Sequence, residues 1–337
     1  MHLLEAEEFL SKRAAYPVLD IRSPSEYLQG HIPGAVSFPL FSDQERAQVG
    51  KTYKLMGKRE ALKVGLEKVG PKMAEYVRKA EALETQTFLI HCWRGGMRSS
   101  SMGWLLNTAG FEALALTGGY KAYRGFLIQK FNDPINFKVI TGSTGTGKTA
   151  LLKALIEVGA QVIDLEALAN HNGSSFGNQL SHGQPSTEQF QNNLLEELLR
   201  FDLRKPVWVE DESFMIGKVH VPEAFYLQKQ SADHIHVSLA RPIRVNNLVS
   251  TYGVLPAEQL IRATESIRKK LGGKETDAAI HAIKNENLHE AACFILRYYD
   301  KAYEKSLENK KDRIVASLTL EEGKYLALAN YLHSTYA

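Results

Sequence analysis

Two short segments of this chain carry residue types that do chemistry. The first is His91-Cys92-Trp93-Arg94-Gly95-Gly96-Met97-Arg98-Ser99. Paired glycines after a cysteine let the backbone curl until successive N–H groups converge, and such a nest stabilises an anion. A thiolate, persulfide or selenide at Cys92 gains from that field, and the charges of Arg94 and Arg98 depress a thiol pKa further. The second is Gly142-Ser143-Thr144-Gly145-Thr146-Gly147-Lys148-Thr149, which fits the phosphate-loop pattern G-x-x-x-x-G-K-[ST] throughout. Its glycines let the backbone approach phosphate oxygens. Lys148 neutralises the terminal phosphates, and the Thr149 hydroxyl is placed to bind Mg²⁺ where a metal takes part.

Each loop needs a strand before it and a helix after it. Pro17 to Ile21 and Thr87 to His91 read as buried strands, Met97 to Ala109 as a helix capped by Gly110, and Ala113 to Leu116 as a further strand. A helix from Gly118-Gly119 to about Phe131 follows. Cys92 thus falls at the carboxyl edge of a parallel sheet, where open α/β folds place ligands. After the turn signal Asn132-Asp133-Pro134 the pattern restarts. Strands are expected at Phe137 to Thr141, Gln161 to Asp164, Val207 to Glu210 and His234 to Leu239, with a helix from Lys148 to Val158. From about Arg241 the pattern is helical and charged. The expected fold is α/β: a parallel-sheet domain over 1–131, a P-loop domain over 132–240, and a mostly helical region over 241–337 that packs on the P-loop domain. Residues 170–187, rich in Gly, Ser, Asn and His, read as a mobile loop able to close over a ligand.

Composition excludes several classes. The chain has 337 residues, two cysteines and a net charge of +3. Two cysteines rule out a disulfide scaffold. The slight charge permits a nucleic-acid partner without arguing for one. No apolar run reaches a membrane span and the start, Met1-His2-Leu3-Leu4-Glu5, lacks a signal peptide's basic end, so a cytoplasmic protein with no membrane partner is expected. Cys293, in Ala291-Ala292-Cys293-Phe294-Ile295-Leu296, reads as an ordinary core residue.

A cysteine, five residues, then Arg-Ser is also the signature of cysteine-dependent phosphatases, so the Cys92 loop alone leaves two chemistries open. The surrounding residues are Asp20-Ile21-Arg22, Glu26-Tyr27, Gly30-His31-Ile32-Pro33-Gly34-Ala35 and Leu116-Thr117-Gly118-Gly119-Tyr120-Lys121-Ala122-Tyr123. In this order they resemble the rhodanese family, in which the loop cysteine accepts sulfur or selenium covalently. Asp20 and Arg22 read first as a salt bridge supporting that fold. In the second part, carboxylates gather at strand ends. Asp164 closes one strand, and Glu210-Asp211-Glu212-Ser213 closes another, where an acid orients Mg²⁺ or its water.

Taken with Asp164-Leu165-Glu166, His171-x-Gly173-Ser174-x-Phe176-Gly177, Ile216-Gly217, Arg46-Ala47-x-Val49-Gly50-x-x-Tyr53-Lys54 and Tyr298-Tyr299-Asp300-x-x-Tyr303, the whole chain resembles bacterial tRNA 2-selenouridine synthases. The resemblance implies a transferase acting on the wobble uridine of tRNA. There 2-thiouridine is S-geranylated from geranyl diphosphate, and the geranylthio group is then replaced by selenium from selenophosphate. It implies an S-selanylcysteine at Cys92 and a supporting role for His171; no cofactor is firmly expected, Mg²⁺ at Thr149 being the one candidate. Asn172 and Phe214 depart from it, each standing where an arginine is usual, which removes positive charge from the supposed phosphate or tRNA region. A thiosulfate-type sulfurtransferase regulated by nucleotide at the P-loop is the alternative reading. A nucleotide-dependent RNA-binding module with a silent thiol is a third. For tRNA, Arg262, Arg268, Lys269, Lys270, Lys274, Lys301, Lys305, Lys310 and Lys311 are candidate contacts, with Tyr298, Tyr299 and Tyr303 as stacking platforms. Interleaved with Glu265, Glu304 and Glu308, those cations read more simply as solvated helix faces.

Overall fold

A computed structural model of the chain describes residues 1–171, 176 and 183–336. Most of the loop read from the sequence as mobile lies outside the described residues, and with it Asn172, Gly173, Ser174 and Gly177. The chain divides into two compact units, Met1–Lys130 and Phe131–Ala337.

The first unit holds β1 (His2–Leu4), β2 (Val18–Asp20), β3 (Val36–Ser37), β4 (Thr87–His91) and β5 (Glu112–Leu116), all parallel, in the spatial order β1-β5-β4-β2-β3. A strand in the middle of such a sheet is covered on both faces, which is why Phe88, Leu89 and Ile90 form an unbroken, fully buried apolar run. The helices Met97–Thr108 and Gly119–Lys130 leave the carboxyl ends of β4 and β5. The long helical passage Asp43–Val69 opens on a capping box made by Ser42 and Glu45 and breaks at Gly57, whose φ of 85° suits glycine.

The second unit holds β6 (Phe137–Thr141), β7 (Gln161–Ile163), β8 (Val207–Glu210), β9 (Met215–Ile216), β10 (Val219–His220), β11 (Asp233–Ser238) and β12 (Ile314–Thr319). β9 and β10 pair as a small antiparallel ribbon. The other five are parallel, in the order β12-β11-β6-β8-β7. From β6 the chain goes first to the edge at β7, returns to fill the gap with β8, then crosses to β11 on the other side. The strand order therefore reverses at β6, and the crevice beyond its carboxyl end is where such sheets bind ligands. The P-loop begins there, with the helix Lys148–Glu157 behind it.

The region after residue 240 is mostly helical, but it returns to the sheet. β12 pairs with β11, and Leu320, Ala329 and Leu332 share a core cluster with Leu151, Leu155 and Trp208. A separate cluster, with Leu260, Ala279, Ile283 and Ile295 at its centre, holds the helices Ala257–Ser266, Gly273–Lys284 and Leu288–Glu308 together. Cys293 corrects the reading from sequence. It lies on the exposed side of its helix, while Ala291, Ala292, Ile295 and Leu296 turn inward.

Candidate functional site

Cys92 follows β4 directly and is buried, while Trp93, Arg94, Gly96 and Met97 around it are exposed. Its loop rests on the turn after β5. Tyr120 N–H donates to the Cys92 carbonyl at 2.8 Å and Lys121 N–H to the Trp93 carbonyl at 2.9 Å. Gly95 and Gly119 abut so closely that a Cβ on Gly119 would strike the Cys92 carbonyl and the Gly95 amide, and both glycines have positive φ. Gly119 is thus a steric requirement of the Cys92 loop, while a Cβ on Gly118 would meet Ala122.

Burial opposes ionisation of the Cys92 thiol. The Ser99 hydroxyl, the Arg98 charge and the amides of Arg94 and Ser99 outweigh it, and the thiol titrates below its ordinary range. Arg98 is itself held by Glu26, at 2.7 Å, and Arg46 approaches the same carboxylate at 3.7 Å. Asp20 and Arg22 form the structural pair expected. Arg22 is fully buried, donates to both Asp20 oxygens and to the Gly30 carbonyl, and lies 3.8 Å from the centre of the Tyr120 ring. His91 lies 3.7 Å from Asp20, and burial lowers its pKa to about 4, so it is neutral at pH 7.

In the second unit the loop 142–149 wraps the end of β6. Gly147 has φ +82°, and a Cβ there would collide with the Tyr325 ring. Lys148 Nζ donates to the Gly142 carbonyl at 3.0 Å. The helix Arg241–Tyr252 braces the loop from outside. Arg244 Nε donates to the Thr144 carbonyl and Asn247 Nδ2 to the Gly145 carbonyl, each at 2.9 Å, and Arg244 also pairs with Asp300.

Facing Lys148 are three carboxylates. Glu166, Glu210 and Glu212 bring one oxygen each within 4.8 Å of one another. The register of β6 on β8, with Ile140 opposite Glu210, sets Glu210 beside the start of the loop. The Thr149 hydroxyl lies 3.5 Å from Glu166. Burial and then the Glu212 charge push Glu166 up to about 8 against the pull of Lys148. Burial and the Glu166 and Glu212 charges raise Glu210 far above the carboxylate range. Burial likewise raises Glu212, although Lys148 and Lys229 oppose it. Glu210 Oε1 is buried with no hydrogen-bond partner among the described residues. An orphaned carboxylate oxygen among hard oxygen donors suits Mg²⁺. Glu166, Glu210, Glu212 and Thr149 would hold the ion, which would supply charge against a phosphate ligand.

Other candidates have different surroundings. The Asp164 carboxylate caps the following helix, accepting from Ala167 N–H at 2.8 Å. Asp211 turns away from Glu210 and Glu212, pairing with Lys310 at 2.5 Å and accepting from the Thr141 hydroxyl at 3.0 Å. Ser213 is exposed and His171 is buried. Phe214 packs its ring against His220 and Tyr226. Lys310 is thereby committed to Asp211, and Arg268 to Glu265 and Asp277. Tyr298 and Tyr299 pack on the helical core, and the Tyr303 hydroxyl lies 3.4 Å from that of Thr141.

Two residues escaped the sequence reading. Glu166 was passed over for Asp164, although a strand followed by a one-turn step into a helix brings the second acid, not the first, back toward the loop. Lys229 is fully buried in the helix Glu223–Ser231 and donates to the Glu212 carbonyl, fixing the strand end that carries the acids. Burial lowers its pKa to about 8. A lone lysine in Phe225-Tyr226-Leu227-Gln228-Lys229 gives no sequence signal of this.

Fold and site together define a rhodanese-like domain joined to a P-loop domain, and comparison with known proteins agrees. A rhodanese-like domain model matches residues 5–125, and a model of the tRNA 2-selenouridine synthase AAA domain matches residues 135–268. The tRNA 2-selenouridine synthase of Nitrosomonas europaea is 34% identical over 88% of this chain and 90% of its own length. Its counterpart in Shewanella denitrificans is 32% identical over 93% of this chain and 94% of its own length. That of Bdellovibrio bacteriovorus is 40% identical over 70% of this chain and 64% of its own. The chain belongs to the tRNA 2-selenouridine synthase family. Among the described residues no helix is long and apolar enough to cross a membrane.

Proposed function

We propose that this chain converts 2-thiouridine at the wobble position of tRNA to 2-selenouridine in two steps, one in each unit. In the P-loop unit geranyl diphosphate is the donor. The uridine sulfur attacks C1 of the geranyl group, the C1–O bond breaks, and diphosphate leaves. Lys148 and the loop amides bind the phosphates through that change, when their charge increases. Mg²⁺, when bound at Thr149 and the three glutamates, supplies further neutralisation. Alkylation turns a poor leaving group into a good one. In the rhodanese-like unit the Cys92 loop holds selenophosphate; its selenium attacks C2, the C2–S bond breaks and geranylthiolate departs, and water then cleaves the Se–P bond to release phosphate.

The observation that carries this reading is the Cys92 loop. Its reactive atom sits on a converging set of amides with a depressed pKa, in a chain that also holds a phosphate loop. Mass spectrometry of tRNA nucleosides after reaction with geranyl diphosphate and selenophosphate tests it. The expected products are the geranylated and then the selenated uridine. Folded protein that alters tRNA in neither step would sink the proposal.

A further inference from the structure

A cavity of about 60 Å³ opens beside the phosphate loop, with Thr144 of the loop in its wall. The remaining wall is almost wholly hydrocarbon and aromatic, formed by residues such as Leu248, Tyr252, Leu260, Ile283, Leu288 and Ile295. One helix connects the two features. Arg244 and Asn247 bind the carbonyls of Thr144 and Gly145, and Leu248 and Tyr252, further along the same helix, face the cavity. Loop and cavity therefore hold a fixed distance within this unit.

A nucleotide in the loop would need placed polar groups for its ribose and base, since pockets fix orientation by a few such groups. The cavity wall offers little of this kind. Its chemistry suits a hydrocarbon attached to a diphosphate. On the scale where one water needs about 10–15 Å³, the space takes roughly four to six water-sized groups. That fits a narrow, short chain.

We propose that this cavity seats the hydrocarbon tail of a prenyl diphosphate whose phosphates lie in the loop, and that its depth sets the chain length accepted. The inference rests on the donor assigned above and adds to it the site of chain recognition. Binding is expected to tighten about fourfold for each methylene buried, so affinity climbs while added carbons enter the cavity and levels off once they do not.

Titration calorimetry with inorganic diphosphate, dimethylallyl diphosphate, geranyl diphosphate and farnesyl diphosphate tests this on the full chain. Geranyl diphosphate should bind on the order of 10-fold to 100-fold tighter than dimethylallyl diphosphate, with a more negative heat-capacity change, and farnesyl diphosphate should gain nothing further. Leu288→Trp, which intrudes from a half-buried position, should bring geranyl diphosphate down to the dimethylallyl value while inorganic diphosphate binds as before. Ala292→Leu fills the same space with a smaller change, and should do likewise if the first variant loses diphosphate binding through misfolding. Geranyl diphosphate that binds tighter than inorganic diphosphate, but equally well to wild type and to both variants, overturns the cavity while the donor reading survives. Geranyl diphosphate that binds wild type no better than inorganic diphosphate overturns both.

Discussion

The Cys92 loop and the P-loop are built alike and charged in opposite ways. Each leaves the carboxyl end of an interior parallel strand, turns on glycines with positive φ, and enters a helix N-terminus. At Cys92 the charges around the loop support an anion carried by the protein itself, and the thiol pKa falls. At the P-loop the one lysine faces three glutamates whose pKa values rise, Glu166 to about 8. The first loop is prepared to present a nucleophile. The second is over-supplied with carboxylate, and burial together with mutual repulsion favours keeping protons there. The shared loop geometry sets where a ligand sits, and the side chains beyond the loop decide which charge is welcome.

The largest expected effects separate the two sites outright. Cys92→Ala should lower selenated nucleoside by about 1000-fold or more while the geranylated nucleoside still forms. Lys148→Ala should lower the geranylated nucleoside itself by about 100-fold or more. Mass spectrometry of the digested tRNA reads both, and two variants stalled at one step would break the division of labour.

A smaller effect lies in the acid cluster. Glu166 titrates near 4.5 when unfolded and near 8 when folded. The folded state thus keeps a proton that the unfolded state releases. The stability this contributes is complete below about pH 4.5 and is lost as pH rises through 8. Glu166→Gln removes the dependence and should make the ligand-free protein more stable than wild type at pH 9, by about 1–3 kcal/mol. Mg²⁺ should raise the wild-type Tm at pH 9 and leave the variant unmoved. Thermal unfolding at pH 6 and 9 decides it; identical pH slopes in the two proteins would remove Glu166 from the cluster. Behind the same strand end, Lys229→Met should cost about 3 kcal/mol by leaving the Glu210 and Glu212 carbonyls without their buried donor and Asp211 without one of its two neighbouring lysine charges, measured by denaturant titration.

Much of this was legible in the sequence, for definite reasons. Phe88-Leu89-Ile90 is an unbroken apolar run because β4 is covered on both faces, and both glycine-rich loops are contiguous in sequence. What the sequence hid is brought together from distant places. β12 is a half-exposed edge strand of six residues, Ile314–Thr319, within a stretch otherwise helical and charged, and nothing local marks it as a partner of β11. Glu166 joins Glu210 and Glu212 only once β7 and β8 are adjacent. The lysine and tyrosine pattern near residue 300 reads more simply as a solvated helix face than as RNA contacts, and the fold commits Lys310 to Asp211 and Tyr299 to the helical core. Cys293 went the other way. An apolar neighbourhood in sequence is still a helix with two sides, and that residue falls on the outer one.

The finest test asks how far the Cys92 field depends on charge beyond the loop. Arg98 lowers the thiol pKa, yet it is also bonded to Glu26, whose own pKa is depressed against burial chiefly by that arginine. Part of the Arg98 field is therefore cancelled at the thiol by its partner. Arg98→Ala should move the pH midpoint of Cys92 alkylation upward, since the loop amides alone then support the thiolate. Glu26→Gln should move it downward, by freeing the Arg98 charge from its counter-ion, provided Arg98 stays in place. Iodoacetamide rates across pH, with Cys293→Ser as the background because that second thiol is exposed, read both shifts. Opposite shifts would mean that the ion pair tunes the nucleophile, whereas equal upward shifts would mean that Glu26 acts only by positioning Arg98. In either case the shift should be small beside the loss in Cys92→Ala, because the amides that converge on Cys92 belong to the backbone and no side-chain exchange removes them.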